Sequence, residues 1–99
     1  MLSIDKQAGG KNLIRALEGR LDTTTAPVLE KEVKESLEGV ENLSFDLKSL
    51  EYISSAGLRV LLSAQKIMNK QGSMTIKNAS DEVLEIFDVT GFSDILTIE

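Results

Sequence analysis

The 99 residues carry a net charge of −5, with 41% hydrophobic and 4% aromatic residues, no cysteine and no histidine. This length makes one domain, residues 1–99, with a mainly aliphatic core. The acidic balance argues against binding nucleic acid, which needs a basic face, and weakly against docking on anionic membranes. The missing Cys and His exclude disulfides, thiol catalysis and Cys-based zinc sites, and remove the commonest general base.

Met1-Leu2-Ser3-Ile4-Asp5 lacks the basic start and long apolar stretch of a signal peptide, and no apolar run is long enough to span a bilayer. The expected address is the cytoplasm. Leu2 to Lys6 alternates, with Leu2 and Ile4 on one side. After Gly9-Gly10, Leu13, Arg15 and Leu17 alternate with Ile14 and Ala16 over Asn12 to Glu18. Two strands around a Gly-Gly turn predict an antiparallel hairpin. Gly9-Gly10-Lys11 lacks the spacing of a phosphate-binding loop.

Gly19-Arg20-Leu21-Asp22 breaks the strand pattern, and Thr23, Thr24 and Thr25 offer capping hydroxyls to a helix whose first turn tolerates Pro27. Ala26, Leu29, Val33 and Leu37 form its apolar stripe, and Gly39 closes it. Leu43, Phe45 and Leu47 alternate as a central strand, and Lys48 to Ser54 reads as a loop. Ala56 to Asn69 is the next helix, with Leu58, Leu61 and Leu62 facing the core. Met74 to Lys77 is a strand. Ser80-Asp81-Glu82 opens a third helix that ends at Thr90-Gly91, and Ile95 to Ile98 is a last short strand. The order ββαβαβαβ predicts an α/β fold: a mixed, mostly parallel sheet of about five strands packed with helices. The helices are few and short, so one face of the sheet is better covered than the other.

The most informative stretch is Asp46-Leu47-Lys48-Ser49-Leu50-Glu51-Tyr52-Ile53-Ser54-Ser55-Ala56-Gly57-Leu58. A strand ends, and two serines sit where a helix begins. The first N–H groups of a helix have no intrahelical partner, so a serine there can cap them. The same place suits a phosphate, which both the free N–H groups and the helix dipole favour. Ala56 and Gly57 are small and leave a kinase room. Phosphorylation would take the net charge from −5 to roughly −6.5 to −7. The helix end tolerates that charge; a partner docked over it would not.

These residues resemble the STAS family, specifically the bacterial anti-sigma factor antagonists. The likeness rests on Gly19-Arg20-Leu21-Asp22 with Thr25-Ala26, on Asp46-Leu47 through Tyr52-Ile53-Ser54-Ser55-Ala56-Gly57-Leu58, and on Phe87-Asp88-Val89-Thr90-Gly91-Phe92. The resemblance implies a STAS-like domain that binds an anti-sigma factor with serine kinase activity and so releases a sigma factor. The kinase would phosphorylate Ser55 and abolish binding, and a serine phosphatase would restore it. Many relatives carry an aspartate just before the acceptor; Ser54 stands there in this chain and is the runner-up acceptor. Register against Gly57 favours Ser55. Ala56 replaces a hydroxyl residue found in some relatives. The expected partner-binding face is Asp22, Thr23, Ser54, Ser55, Ala56, Gly57 and Arg59.

Read locally, Asp22 contacts the partner, holds the loop near Ser55, or makes an Asx-type turn bond. Asp46 either hydrogen-bonds the loop near Ser55 or sits at a solvated strand end. Arg59 and Lys66 face a partner or form an ordinary solvated side. Catalysis is not expected: Ser54 and Ser55 have no histidine to activate them, and Gly-x-Ser-x-Gly spacing is absent. No cofactor, metal, nucleic acid or membrane is expected as a partner. The alternative is an unphosphorylated STAS-like module of a transporter or signalling assembly.

Overall fold

A computed structural model describes residues 2–99, and the side chains of Ile4 and of 9–99 among them. Met1 and the side of the sheet assigned to Leu2 lie outside the described residues. Strand β1 (Leu2–Gly9) pairs antiparallel with β2 (Asn12–Leu21), joined at Gly10-Lys11. Gly10 has φ of +61°, a conformation that favours glycine at the first central position of a tight hairpin turn. Helix α1 (Ala26–Ser36) leads to β3 (Asn42–Ile53), α2 (Ser55–Asn69) to β4 (Ser73–Lys77), and α3 (Asp81–Thr90) to a short 3-10 turn at Phe92–Asp94. The sheet order is β1-β2-β3-β4. The strands β2, β3 and β4 run parallel.

The expected count of about five strands is therefore too high: the described residues form a sheet of four. Ile95 to Ile98 is not a strand. Gly91 is left-handed, with φ of +81°, and the turn after it consumes the chain, with the Ile95 and Leu96 amides donating to the Phe92 carbonyl. What remains is an isolated parallel bridge between Ile98 and Ile76. Hydrogen bonds from Ile76 N to Thr97 O (2.8 Å) and from Glu99 N to Ile76 O (2.9 Å) hold it.

Two further expectations are corrected. The strand pattern does not break at Gly19, since β2 runs on to Leu21, and Lys48 to Ile53 is not a loop but the second half of β3. The cause is irregular pairing. Between Ala16 and Glu18, and again between Gly19 and Arg20, β3 spends one residue more than β2. Each added residue breaks the two-residue alternation. Burial in β3 therefore steps by two through Leu43, Phe45 and Leu47, then by three to Leu50 and Ile53. Asp46 supports the first irregularity: its Oδ1 accepts from the Lys48 amide (3.0 Å) and from Asn78 Nδ2 (3.2 Å).

One aliphatic cluster forms the core. It takes Leu13, Leu17 and Leu21 from β2, Leu29 and Val33 from α1, Leu58, Leu61 and Met68 from α2, and Val83 and Phe87 from α3. The alternate sheet residues Ile14, Ser44, Asp46, Thr75 and Lys77 are half-buried or exposed, so the helices cover one face, as their number and length predict. Arg15 points into the covered face. Its guanidinium pairs with Glu32 of α1 at 3.0 Å, both side chains largely buried. Glu32 also accepts from the Ser36 hydroxyl.

Candidate functional site at the start of helix α2

Parallel strands feeding helices put the carboxyl ends of β2 and β3 and the first turns of α1 and α2 at one end of the sheet, the usual place for a site in such folds. There the Ser54 amide donates to the Leu21 carbonyl (2.8 Å), tying the end of β3 to the end of β2. Ser54 has extended backbone, and its hydroxyl accepts from the Gly57 amide at 3.4 Å. Ser54 is thus the cap of α2. Ser55 is the first helical residue, and it is exposed. Helix geometry leaves the first amides of α2 without intrahelical acceptors, beside an open hydroxyl.

Gly57 lies beneath this surface and is buried. A Cβ there would fall 2.7 Å from Leu21 Cγ and 2.9 Å from Ile53 Cγ1. Leu21 and Ile53 are themselves almost wholly buried. The absence of a side chain at Gly57 lets the first turn of α2 settle on the ends of both strands, which sets the height at which Ser55 stands. Ala56 is half-buried against the core, and Arg59 is exposed one turn beyond Ser55.

The turn into α1 is organised by Asp22 together with the Thr24 and Thr25 hydroxyls, none of which caps the helix. Asp22 Oδ1 accepts from the Thr24 amide (3.0 Å), the Thr25 amide (3.2 Å) and the Thr24 hydroxyl (2.7 Å). Thr25 stands at the cap position without a side-chain capping bond; its hydroxyl donates to the Arg20 carbonyl and accepts from the Asp22 amide, each at 2.8 Å. The expectation that the threonines cap the first helix is corrected accordingly: the Thr25 hydroxyl is turned back to the Arg20 carbonyl and the Asp22 amide and makes no bond to the helix amides. The Thr24 hydroxyl bond, with the two amides, holds the Asp22 carboxyl below the ordinary aspartate range against a smaller desolvation effect. Thr23 is exposed at the tip of this turn.

Two residues to which the sequence pattern assigns no role complete this end of the molecule. Arg20 and Tyr52 sit opposite each other on β2 and β3, and the Arg20 guanidinium lies 4.5 Å from the Tyr52 ring centroid. Arg20 Nε is 4.0 Å from Asp22 Oδ2. Thirty-two positions separate Arg20 from Tyr52 in the chain, and the register that joins them follows both strand irregularities. Asp46 does not reach Ser55; its bonds stay at Lys48 and Asn78. Lys66 is exposed farther along α2.

A family model described as the STAS domain matches residues 3–99. The chain belongs to the STAS domain family. This STAS domain is 31% identical over 98 residues to the anti-sigma-B factor antagonist of Bacillus subtilis, an alignment covering 98% of this chain and 90% of that one. Its fold is similar to that of an anti-sigma factor antagonist from Mycobacterium paratuberculosis, with a TM-score of 0.89 at 18% identity, covering 99% of this chain and 85% of that chain. It is also similar to the phosphorylated form of the Bacillus cell fate determinant SpoIIAA, with a TM-score of 0.77 at 14% identity, covering 98% and 91% of the two chains. Among the described residues of this STAS domain, no helix is long and apolar enough to cross a membrane.

Proposed function

We propose that this chain is an anti-sigma factor antagonist that works by binding, not by catalysis. In its unphosphorylated form it binds an anti-sigma factor that is also a serine kinase, and a sigma factor is freed. The kinase transfers phosphate to Ser55, binding ends, and a serine phosphatase restores it, all in the cytoplasm. The partner face comprises Asp22, Thr23, Ser54, Ser55, Ala56 and Arg59, with Gly57 acting from beneath by seating the helix.

The observation that carries this reading is the division of labour between adjacent serines. Ser54 spends its hydroxyl as an acceptor in the helix cap, whereas Ser55 is exposed at the first helical position. A phosphate on Ser55 meets the positive end of α2 and is tolerated by the fold. The same phosphate projects toward any surface docked over the helix start, where it repels acidic groups and forces desolvation of a doubly charged anion. The names of the relatives support the partner class.

The test is phosphate transfer. The pure protein is incubated with ATP and each candidate anti-sigma kinase from its own genome, and phosphate is mapped by mass spectrometry. Phosphate on Ser55 with loss of kinase binding is the expected result. Phosphate on Ser54 alone would move the switch, and neither binding nor transfer with any candidate would overturn the proposal.

A further inference from the structure

Helix α2 carries two electrostatic features that its own fold leaves unbalanced. Its first turn holds no acidic residue, whereas α3 places Asp81 and Glu82 at the same point. The positive end of the α2 dipole therefore has no side-chain anion of its own. In addition, Arg59 is exposed in the second turn of the same helix. Among the described residues Arg59 has no ion pair. The neighbouring guanidinium, Arg20, is engaged by Asp22 and by the Tyr52 ring.

Ser55 and Arg59 are both exposed and four positions apart in α2. That spacing stacks their side chains on one face, about 5–6 Å apart at Cβ. Side chains on a helix lean toward its N-terminus, so the longer Arg59 leans back over the turn that begins with Ser55. A single dianion on the Ser55 oxygen would balance both features at once.

We propose that Arg59 is a positioning residue for the phosphorylated state: its guanidinium closes on the phosphate of Ser55 as an intrahelical clamp. This rests on Ser55 being the acceptor, as proposed above. Arginine suits the task because its planar fork matches phosphate oxygens with two parallel N–H donors. The clamp fixes the phosphate over the first turn of α2 instead of leaving it to swing, which makes the block to a partner a defined shape. It also shields one side of the phosphate, so removal by a phosphatase requires the guanidinium to swing away. Among the charged residues at the ends of β2 and β3 are Arg20, Asp22 and Glu51. Arg20 is already engaged, and the two acids oppose the clamp.

The experiment installs phosphoserine at position 55 during synthesis, so that it does not depend on any kinase. Phosphorus-31 NMR then follows the second ionisation of the phosphate, ordinarily near 6, in the otherwise unaltered chain and in Arg59→Gln and Arg59→Lys. The clamp predicts a value about 0.3–0.5 unit lower in the unaltered chain than in Arg59→Gln. Arg59→Lys should lie between them, because it keeps the charge but loses the fork. Equal values in the unaltered chain and Arg59→Gln would overturn the clamp. The same samples test the parent reading separately: undiminished binding of the phosphorylated chain to the anti-sigma kinase would overturn the switch whatever the titration shows.

Discussion

The Ser54 amide donates to the Leu21 carbonyl at 2.8 Å, and through this bond the end of β3 is fastened to the end of β2 at the residue before α2 begins. The position of Ser55 thus depends on two strands whose ends lie thirty-two residues apart in the chain, Leu21 and Ile53.

Ser54 and Ser55 should respond differently to the same substitution. Ser54→Ala removes the acceptor that holds the Gly57 amide, and it should cost about 1 kcal/mol of stability. Ser55→Ala should stay within about 0.5 kcal/mol of the unaltered chain. Urea denaturation of the two variants measures this, and equal losses would mean that the cap is shared. Ser55→Asp should also keep its stability, since a carboxylate is favoured in a first helical turn, while losing affinity for the anti-sigma kinase in a direct binding titration.

Gly57→Ala should destabilise the protein by about 1–3 kcal/mol, because it overpacks a closed site. The added methyl meets Leu21 and Ile53 at distances no folded protein accepts without movement. The start of α2 should lift, so the amide resonances of Ser54 to Leu58 should shift more than those of α1. A variant with unchanged stability and unshifted resonances would contradict this packing.

Asp22 makes stability depend on acid pH. Its folded carboxyl titrates below the ordinary range, chiefly through the Thr24 hydroxyl. A depressed carboxyl contributes stability that is present above the unfolded value, near 4, and is lost as pH falls through the lower folded value. Asp22→Asn keeps the acceptor oxygen but not the charge. The stability gap between the unaltered chain and Asp22→Asn should hold steady from pH 7 to 5 and shrink below about pH 4. Thermal melts across that range check it, and a gap that widens with acid would reverse the assignment.

Arg15 and Glu32 form a largely buried ion pair between β2 and α1. Glu32→Ala leaves the Arg15 guanidinium in the core without this carboxylate, at a cost of about 3 kcal/mol. The double change Arg15→Met with Glu32→Leu should recover most of that loss, because two apolar side chains of similar volume need no pairing. A double variant no more stable than Glu32→Ala would show that the pair does more than offset its own burial.

The candidate site was legible where it is local. The segment Ser54-Ser55-Ala56-Gly57-Leu58 announces a helix start with a hydroxyl at its mouth, and Ser80-Asp81-Glu82 does the same for α3, where the Ser80 hydroxyl accepts from the Val83 amide at 3.2 Å. The sequence leaves open which serine caps α2, since both are chemically able to; the extended backbone of Ser54 decides it. Ile95 to Ile98 has strand-like residues yet forms no strand, because the left-handed Gly91 and the turn after it leave them too little length to pair.

The amino-acid pattern was enough for the order of the first four strands and three helices, the aliphatic core and the place of the serine pair, because each follows from the period of apolar side chains or from capping chemistry within a few residues. The length of β3, the seating of Gly57, the Arg15–Glu32 pair and the meeting of Arg20 with Tyr52 came from the packed molecule. Each of these rests on register between segments far apart in the chain. Register is set by how whole faces pack together, and no local run of residues contains it.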